Sequence, residues 1–311
     1  MPGGGTSNQI ASITNSVAGK YDYTYDSKGN ITKIVNGNDV TTYQYDEAGQ
    51  LVKENDTQII YDKGGNIVQK GHMEFEYDSV WADKLISVDG NSVDYDDIGN
   101  PISFGGNTLI WHGRRMTNYN DFAYTYSESG LRTSKTVDGV TTHYVWVGDK
   151  LLGQYDENHV IYFSNIGLNV NGVQYFYVKN LQGDVVQIVD ESGENVAEYV
   201  YDAWGNVVES SGALAEINPI RYRGYYYDVE TQMYYNQQRY YVPEWARWLN
   251  ADILFYTNEV SENNLFVYCR NDPVNRIDID GKKSTTFITK SEMEERLKNN
   301  KITKKTSSLL N

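Results

Sequence analysis

The side chains that most often perform chemistry are sparse and scattered in this chain. Four histidines, His72, His112, His143 and His159, lie far apart, and no pair has the spacing of a zinc helix or finger. Cys269 is the single cysteine, and the serines sit in turn-rich stretches, so the spacing assembles no Cys/His or Ser/His/Asp nucleophile. Aspartate is abundant enough for D-x-D pairs such as Asp94 with Asp96 and Asp278 with Asp280. Calcium loops need more oxygen ligands than that, in a fixed order. The glycines after Gly183 lack the lysine of a phosphate loop. The expectation is therefore no metal and no cofactor.

A different chemistry gathers between Asn218 and Gly281. Arg221, Arg223, Arg239 and Arg247 are interleaved there with Tyr222, Tyr225, Tyr226, Tyr227, Tyr234, Tyr235, Tyr240, Tyr241, Trp245 and Trp248. A guanidinium over an aromatic face contributes about 0.5 to 2 kcal/mol per contact. The segment reads as an arginine–aromatic plug in preference to a binding surface.

Such a plug needs a wall to close, and the rest of the chain supplies one as repeats. The unit is Tyr-Asp-x-x-Gly-Asn followed by an apolar residue, with Gln for Asn in one copy: YDSKGNI from Tyr25, YDEAGQL from Tyr45, YDKGGNI from Tyr61, YDDIGNP from Tyr95 and YDAWGNV from Tyr201. Looser copies start at Tyr77, Tyr126 and Val189. Tyr25, Tyr45, Tyr61, Tyr77 and Tyr95 are 20, 16, 16 and 18 residues apart, the length of one β-hairpin. In each turn the aspartate can accept backbone N–H groups two or three residues on, while the glycine supplies a left-handed residue. These aspartates are turn formers before they are anything else. Stretches such as NVAEYVYDAWGNVVE alternate like strands, with Tyr199 and Tyr201 two apart. One hairpin is barely stable alone, so neighbours must pair edge to edge in a long antiparallel sheet.

Composition agrees. The 311 residues include 28 Tyr against 8 Phe, with 27 Gly and 5 Pro, which favours β-structure built from aromatics with a polar tip. A formal charge of −15 argues against nucleic acid as a partner. No run approaches the roughly 18 apolar residues of a membrane helix, and the N-terminus lacks the pattern of a signal peptide. From Lys282 onward eight Lys and Arg face three Glu, so this tail carries +5 and everything before it −20. That change of sign marks a boundary near residue 281.

The YD turns, RYRGYYYDVETQMYYNQQRYY, PEWARWLNAD and the closing NDPVNRIDIDG together resemble the Rhs/YD-repeat family and its Rhs repeat-associated core, over roughly residues 20 to 281. The family includes polymorphic toxins, Tc toxin C components and teneurins. The resemblance implies an all-β fold in which antiparallel YD hairpins spiral into a partial hollow shell. It implies a secreted or cell-surface location as part of a larger protein, and as partner the remainder of that polypeptide or its C-terminal toxin. The domains expected are a flexible segment 1–20, a YD-repeat sheet 21–217, the core 218–281 and the start of a variable region 282–311, with a short helix there. The expected function is a shell that holds, and in some form releases, a C-terminal cargo. A glycan-binding adhesive module is the first alternative.

The second alternative is self-cleavage. Toxin members of the family end their core in an aspartate-containing self-cleaving element, and the resemblance places its two aspartates at Asp252 and Asp278. Asn264, Phe266, Tyr268, Asn271, Pro273 and Gly281 match the intervening pattern. Two close carboxylates can share a proton, one acting as base toward water and the other as acid toward the scissile amide. The bond so marked is Lys282–Lys283. Ile253 and Ile279 replace two family prolines, and Lys282 replaces the leucine that normally precedes the cut.

Overall fold

The computed structural model describes residues 9–252, 264–281 and 284–286. The YD motif folds as its chemistry requires. At the first turn the Asp26 amide donates to the Asn30 carbonyl at 2.9 Å, and the Gly29 amide to the Asp26 carbonyl at 3.2 Å. Asp26 Oδ1 accepts the amides of Lys28 and Asn30, while its Oδ2 accepts Asn30 Nδ2. Gly29 stands at φ +93°, where a Cβ would be strained. Asp62, Asp96 and Asp202 repeat the same three side-chain bonds. The asparagine of the motif is thus the partner that fills the second carboxylate oxygen.

Twenty-three strands from Ser12–Asn15 to Val207–Ser211 form one sheet. Its strands pair antiparallel in chain order, a pure meander, as in Tyr23↔Ile34, Tyr43↔Glu54 and Phe75↔Val88. The register slips by one residue just before Tyr25, Tyr45, Tyr61, Tyr77, Tyr95, Tyr126 and Tyr201. A bulge at every such tyrosine raises the local twist and bends the ribbon. The curl of the wall is therefore written into the repeat.

Most of these tyrosines also tie their repeat to the chain before it. Tyr45 Oη donates to the Ile31 carbonyl at 2.7 Å, Tyr61 to Leu51 at 2.6 Å, Tyr77 to Ile67 at 2.8 Å and Tyr126 to Met116 at 2.7 Å. Trp111 and Trp146 do the same through Nε1, toward Pro101 and Arg132. Phenylalanine would pack equally well and leave those carbonyls unpaired. This is one physical reason for Tyr in place of Phe at these positions.

Inside the curl lies a buried four-stranded sheet, Tyr226–Asp228, Met233–Asn236, Arg239–Val242 and Arg247–Trp248. Its tyrosines and the inward residues of the wall, Ile31, Leu51, Ile67, Leu85 and Met116 among them, belong to one apolar cluster. Residues of both 21–217 and 218–281 contribute to this cluster. Within the segment 1–20, Ser12–Asn15 pairs with the strand that starts at Gly19, because a tight turn there extends the meander by one strand. The expected C-terminal helix lies outside the described residues. Among the described residues no helix is long and apolar enough to cross a membrane.

Candidate functional site

The arginines of the plug sit on aromatic faces, as their sequence setting implies. Arg221 lies 4.9 Å from the Tyr199 ring and 4.5 Å from Tyr227, and Arg223 is 4.3 Å from Tyr222. Arg239 covers Trp248 at 4.2 Å, and Arg247 covers Phe266 at 4.7 Å. Each also donates to a backbone carbonyl or a carboxylate outside its ring contacts. Arg221 donates to the Ala215 carbonyl, Arg247 to that of Asp83, and Arg223 pairs with Asp184 at 2.7 Å while donating to the Pro273 carbonyl.

The deepest anchor comes from the wall. Arg132 is fully buried and grips Asp228 with two bonds, at 2.6 and 2.9 Å. Four rings surround it, with Tyr235 at 4.4 Å, Tyr144 at 4.9 Å, Tyr226 at 5.1 Å and Tyr124 at 5.4 Å. Lys135 adds a bond to Asp228 at 2.9 Å and another to Glu230 at 2.8 Å. Burial alone would raise the Asp228 carboxyl, but Arg132 and Lys135 outweigh it and hold it below the usual range. Sequence reasoning passed over Arg132. The available signal was its place in YSESGLR, where the other repeats put an inward apolar residue such as Ile31 or Ile67.

The two sequence-predicted aspartates, 26 residues apart in the chain, meet at one side chain. Arg239 Nη1 is 3.1 Å from Asp252 and its Nη2 is 3.2 Å from Asp278. The Arg239 Nε donates to the Gly281 carbonyl at 2.7 Å, so the same guanidinium holds the residue before Lys282, one peptide unit ahead of the marked bond. Burial raises the Asp278 carboxyl; Arg239 opposes this, while Asp280 and Asp252 add to it. The Asp278 carbonyl accepts from Tyr225 and from Asn236 Nδ2. Asp278 pairs with Ser284 in a short antiparallel ladder. A Cβ on Gly281, itself at φ +76°, would stand 2.7 Å from the Asn236 carbonyl, which excludes larger residues there. Lys282 and Lys283 lie outside the described residues.

The rest of the closing segment is a strap along the YD turns. Asn264 Nδ2 donates to Asn66 Oδ1 at 2.6 Å and Asn271 Nδ2 to the Gly65 carbonyl at 2.7 Å, both in the Asp62 turn. Asn275 Oδ1 accepts the Ile31 amide and its Nδ2 donates to Tyr45. Pro273 enters through its carbonyl, and the Tyr268 ring packs against Tyr241, tilted by 34° with centroids 4.1 Å apart. Cys269, Arg270 and Asn271 all have positive φ, at 50°, 56° and 61°, a left-handed bend that turns Asn271 onto the wall. Among the described residues no group of three or more His, Cys, Asp and Glu is placed to hold a metal.

A family model described as Teneurin YD-shell matches residues 5–274. The chain belongs to the YD-shell family. It is 33% identical over 293 residues to the tRNA nuclease WapA of Bacillus subtilis, covering 89% of this chain and 11% of that protein. It is 23% identical to Teneurin-m of Drosophila melanogaster, over 82% of this chain and 9% of the other. The YD shell also superposes on the crystal structure of TcdB2-TccC3-TEV with a TM-score of 0.70, at 18% identity, over 87% of this chain and 17% of that one. The chain thus spans about a tenth of the length of these two relatives and 17% of the solved chain.

Proposed function

We propose that this YD shell is the closing part of a larger, secreted or surface-displayed toxin-delivery polypeptide, where it walls in and protects a cargo carried C-terminal to the core. The observation that carries the reading is the Arg132–Asp228 anchor, which fastens an arginine–aromatic plug inside a continuous curled wall. The sheet has two ends, Ser12–Asn15 and Val207–Ser211, and the partner that fits them is the remainder of such a polypeptide. Support comes from relatives named as toxins and nucleases, each much longer than this chain. The test is a protease-sensitive reporter fused after Asn311. In the intact chain it should be digested several-fold more slowly than in an Asp228→Ala variant, whereas equal rates would remove the protective role. A glycan array separates this reading from an adhesive one.

A second reading, self-cleavage near Lys282, is favoured by Arg239 bridging Asp252 and Asp278. One carboxyl of the pair would activate water and the other would protonate the leaving amine. Mass and N-terminal sequencing of the purified chain should show a new terminus at Lys283, absent in Asp252→Asn and Asp278→Asn. A chain that stays intact on prolonged incubation would rule it out.

A further inference from the structure

The wall touches itself at a seam that involves neither Asp252 nor Asp278. The last YD turn, Asp202–Asn206, rests on early hairpins more than 130 residues upstream. There Glu54, nine-tenths buried, accepts the Ala203 amide at 2.8 Å. Lys70 donates to the carbonyls of Pro243 and Glu244, at 3.2 and 2.9 Å, and stands 4.0 Å from Asp202. Asn206 donates to the same Pro243 carbonyl at 3.1 Å. One small cluster therefore joins the first hairpins, the last turn and the plug. Its two carboxyls share a single lysine, and neither the plug nor the Asp252–Asp278 pair uses them.

We propose that this seam is a proton-operated latch: protonated Glu54 holds the last YD turn against the first hairpins, and loss of that proton releases the turn. The argument is electrostatic. Asp202 spends its oxygens on Trp204 and Asn206 of its own turn and stands near Lys70, so a charged, buried Glu54 would add a second carboxylate beside a single lysine. The other titratable groups around Glu54 are Tyr43, its cross-strand partner, and Tyr45, both acids that offer no positive charge, with Glu244 behind Lys70. Burial and then Asp202 push Glu54 up to about 8, against the Ala203 amide and Lys70. A raised pKa in the closed state makes closure strongest below the ordinary carboxyl range. That strength is lost as pH rises through about 8.

The inference rests on the shell reading, since it regulates the same wall, but it fails separately from it. Hydrogen exchange on the full chain, corrected for intrinsic rates between pH 6 and 9, reads the Ala203 amide directly. Protection there should fall at least about tenfold across that range, one decade per pH unit being the limit for one proton. The Asp96–Asn100 turn, away from the seam, should stay unchanged. Glu54→Gln keeps the acceptor and removes the titration, so it should hold Ala203 protection flat. A flat wild-type profile, an equal fall in Glu54→Gln, or a parallel fall in the Asp96 turn would each overturn the latch, whatever the outcome of the reporter digestion.

Discussion

Arg132 and Asp228, 96 residues apart in the chain, form a two-bond ion pair with neither side chain exposed to solvent, and that pair fastens the plug to the wall. Breaking a buried pair on one side leaves a charge without compensation, at a cost of about 3 to 5 kcal/mol. Arg132→Ala should therefore lower unfolding stability by about that much in urea titration. The double replacement Arg132→Met with Asp228→Leu should recover a large part of it, because apolar residues of similar volume fill the site without a stranded charge. Equal losses in single and double variants would show that the pair does not hold the plug.

The tyrosine ladder predicts a position-dependent cost for removing one oxygen. Tyr61→Phe strands the Leu51 carbonyl and should cost about 1 to 2 kcal/mol. Tyr162, 60% exposed, should tolerate the same change within about 0.5 kcal/mol. Denaturant midpoints of the two variants give the comparison, and similar values would refute the ladder.

Two turn glycines separate strain from crowding. Gly49 has φ +84° with no atom within 4 Å of a built Cβ, so Gly49→Ala should cost about 1 to 2 kcal/mol from the left-handed backbone alone. At Gly205, φ +90°, the Cβ would sit 2.6 Å from Cδ1 of the buried Tyr222. Gly205→Ala should cost about 1 to 3 kcal/mol more than Gly49→Ala. Thermal unfolding of the two side by side checks the order.

Asp272 adds a pH dependence of known sign. Burial raises its carboxyl to about 6, against hydrogen bonds from Asn275 and the charge of Arg276. A raised folded-state pKa means that its contribution is fully present below the ordinary carboxyl range and is lost as pH rises through about 6. Asp272→Asn should therefore gain stability relative to wild type between pH 4 and pH 7, by an amount on the order of 2 kcal/mol. A difference independent of pH would contradict the assignment.

Much of this fold is legible in the sequence because YD chemistry is local. Asp26, Gly29 and Asn30 complete their turn within five residues, and the spacing of Tyr25, Tyr45 and Tyr61 gives the hairpin length directly. The plug is visible as arginine among aromatics. What sequence could not show depends on distant partners. Arg132 gains its meaning only when Asp228 arrives, and Asn271 only when the bend at Cys269 carries it to Gly65. The bulge at each tyrosine is local, but its effect, a wall that returns to Glu54 and Asp202, accumulates over the whole meander. Pattern alone singles out Asp252 and Asp278. That Arg239 bridges them, and also holds Gly281, comes from the buried sheet.

The central claim is that wall and plug are one cooperative body, and native-state hydrogen exchange on the full chain tests it most directly. Amides of the early hairpins, such as Tyr61 and Phe75, and amides of the plug, such as Leu249 bonded to Tyr240, should open with one shared free energy. Asp228→Asn should lower both by the same amount. Hairpins that exchange at least a hundredfold faster than the plug, or a substitution that loosens the plug while leaving the hairpins untouched, would contradict it.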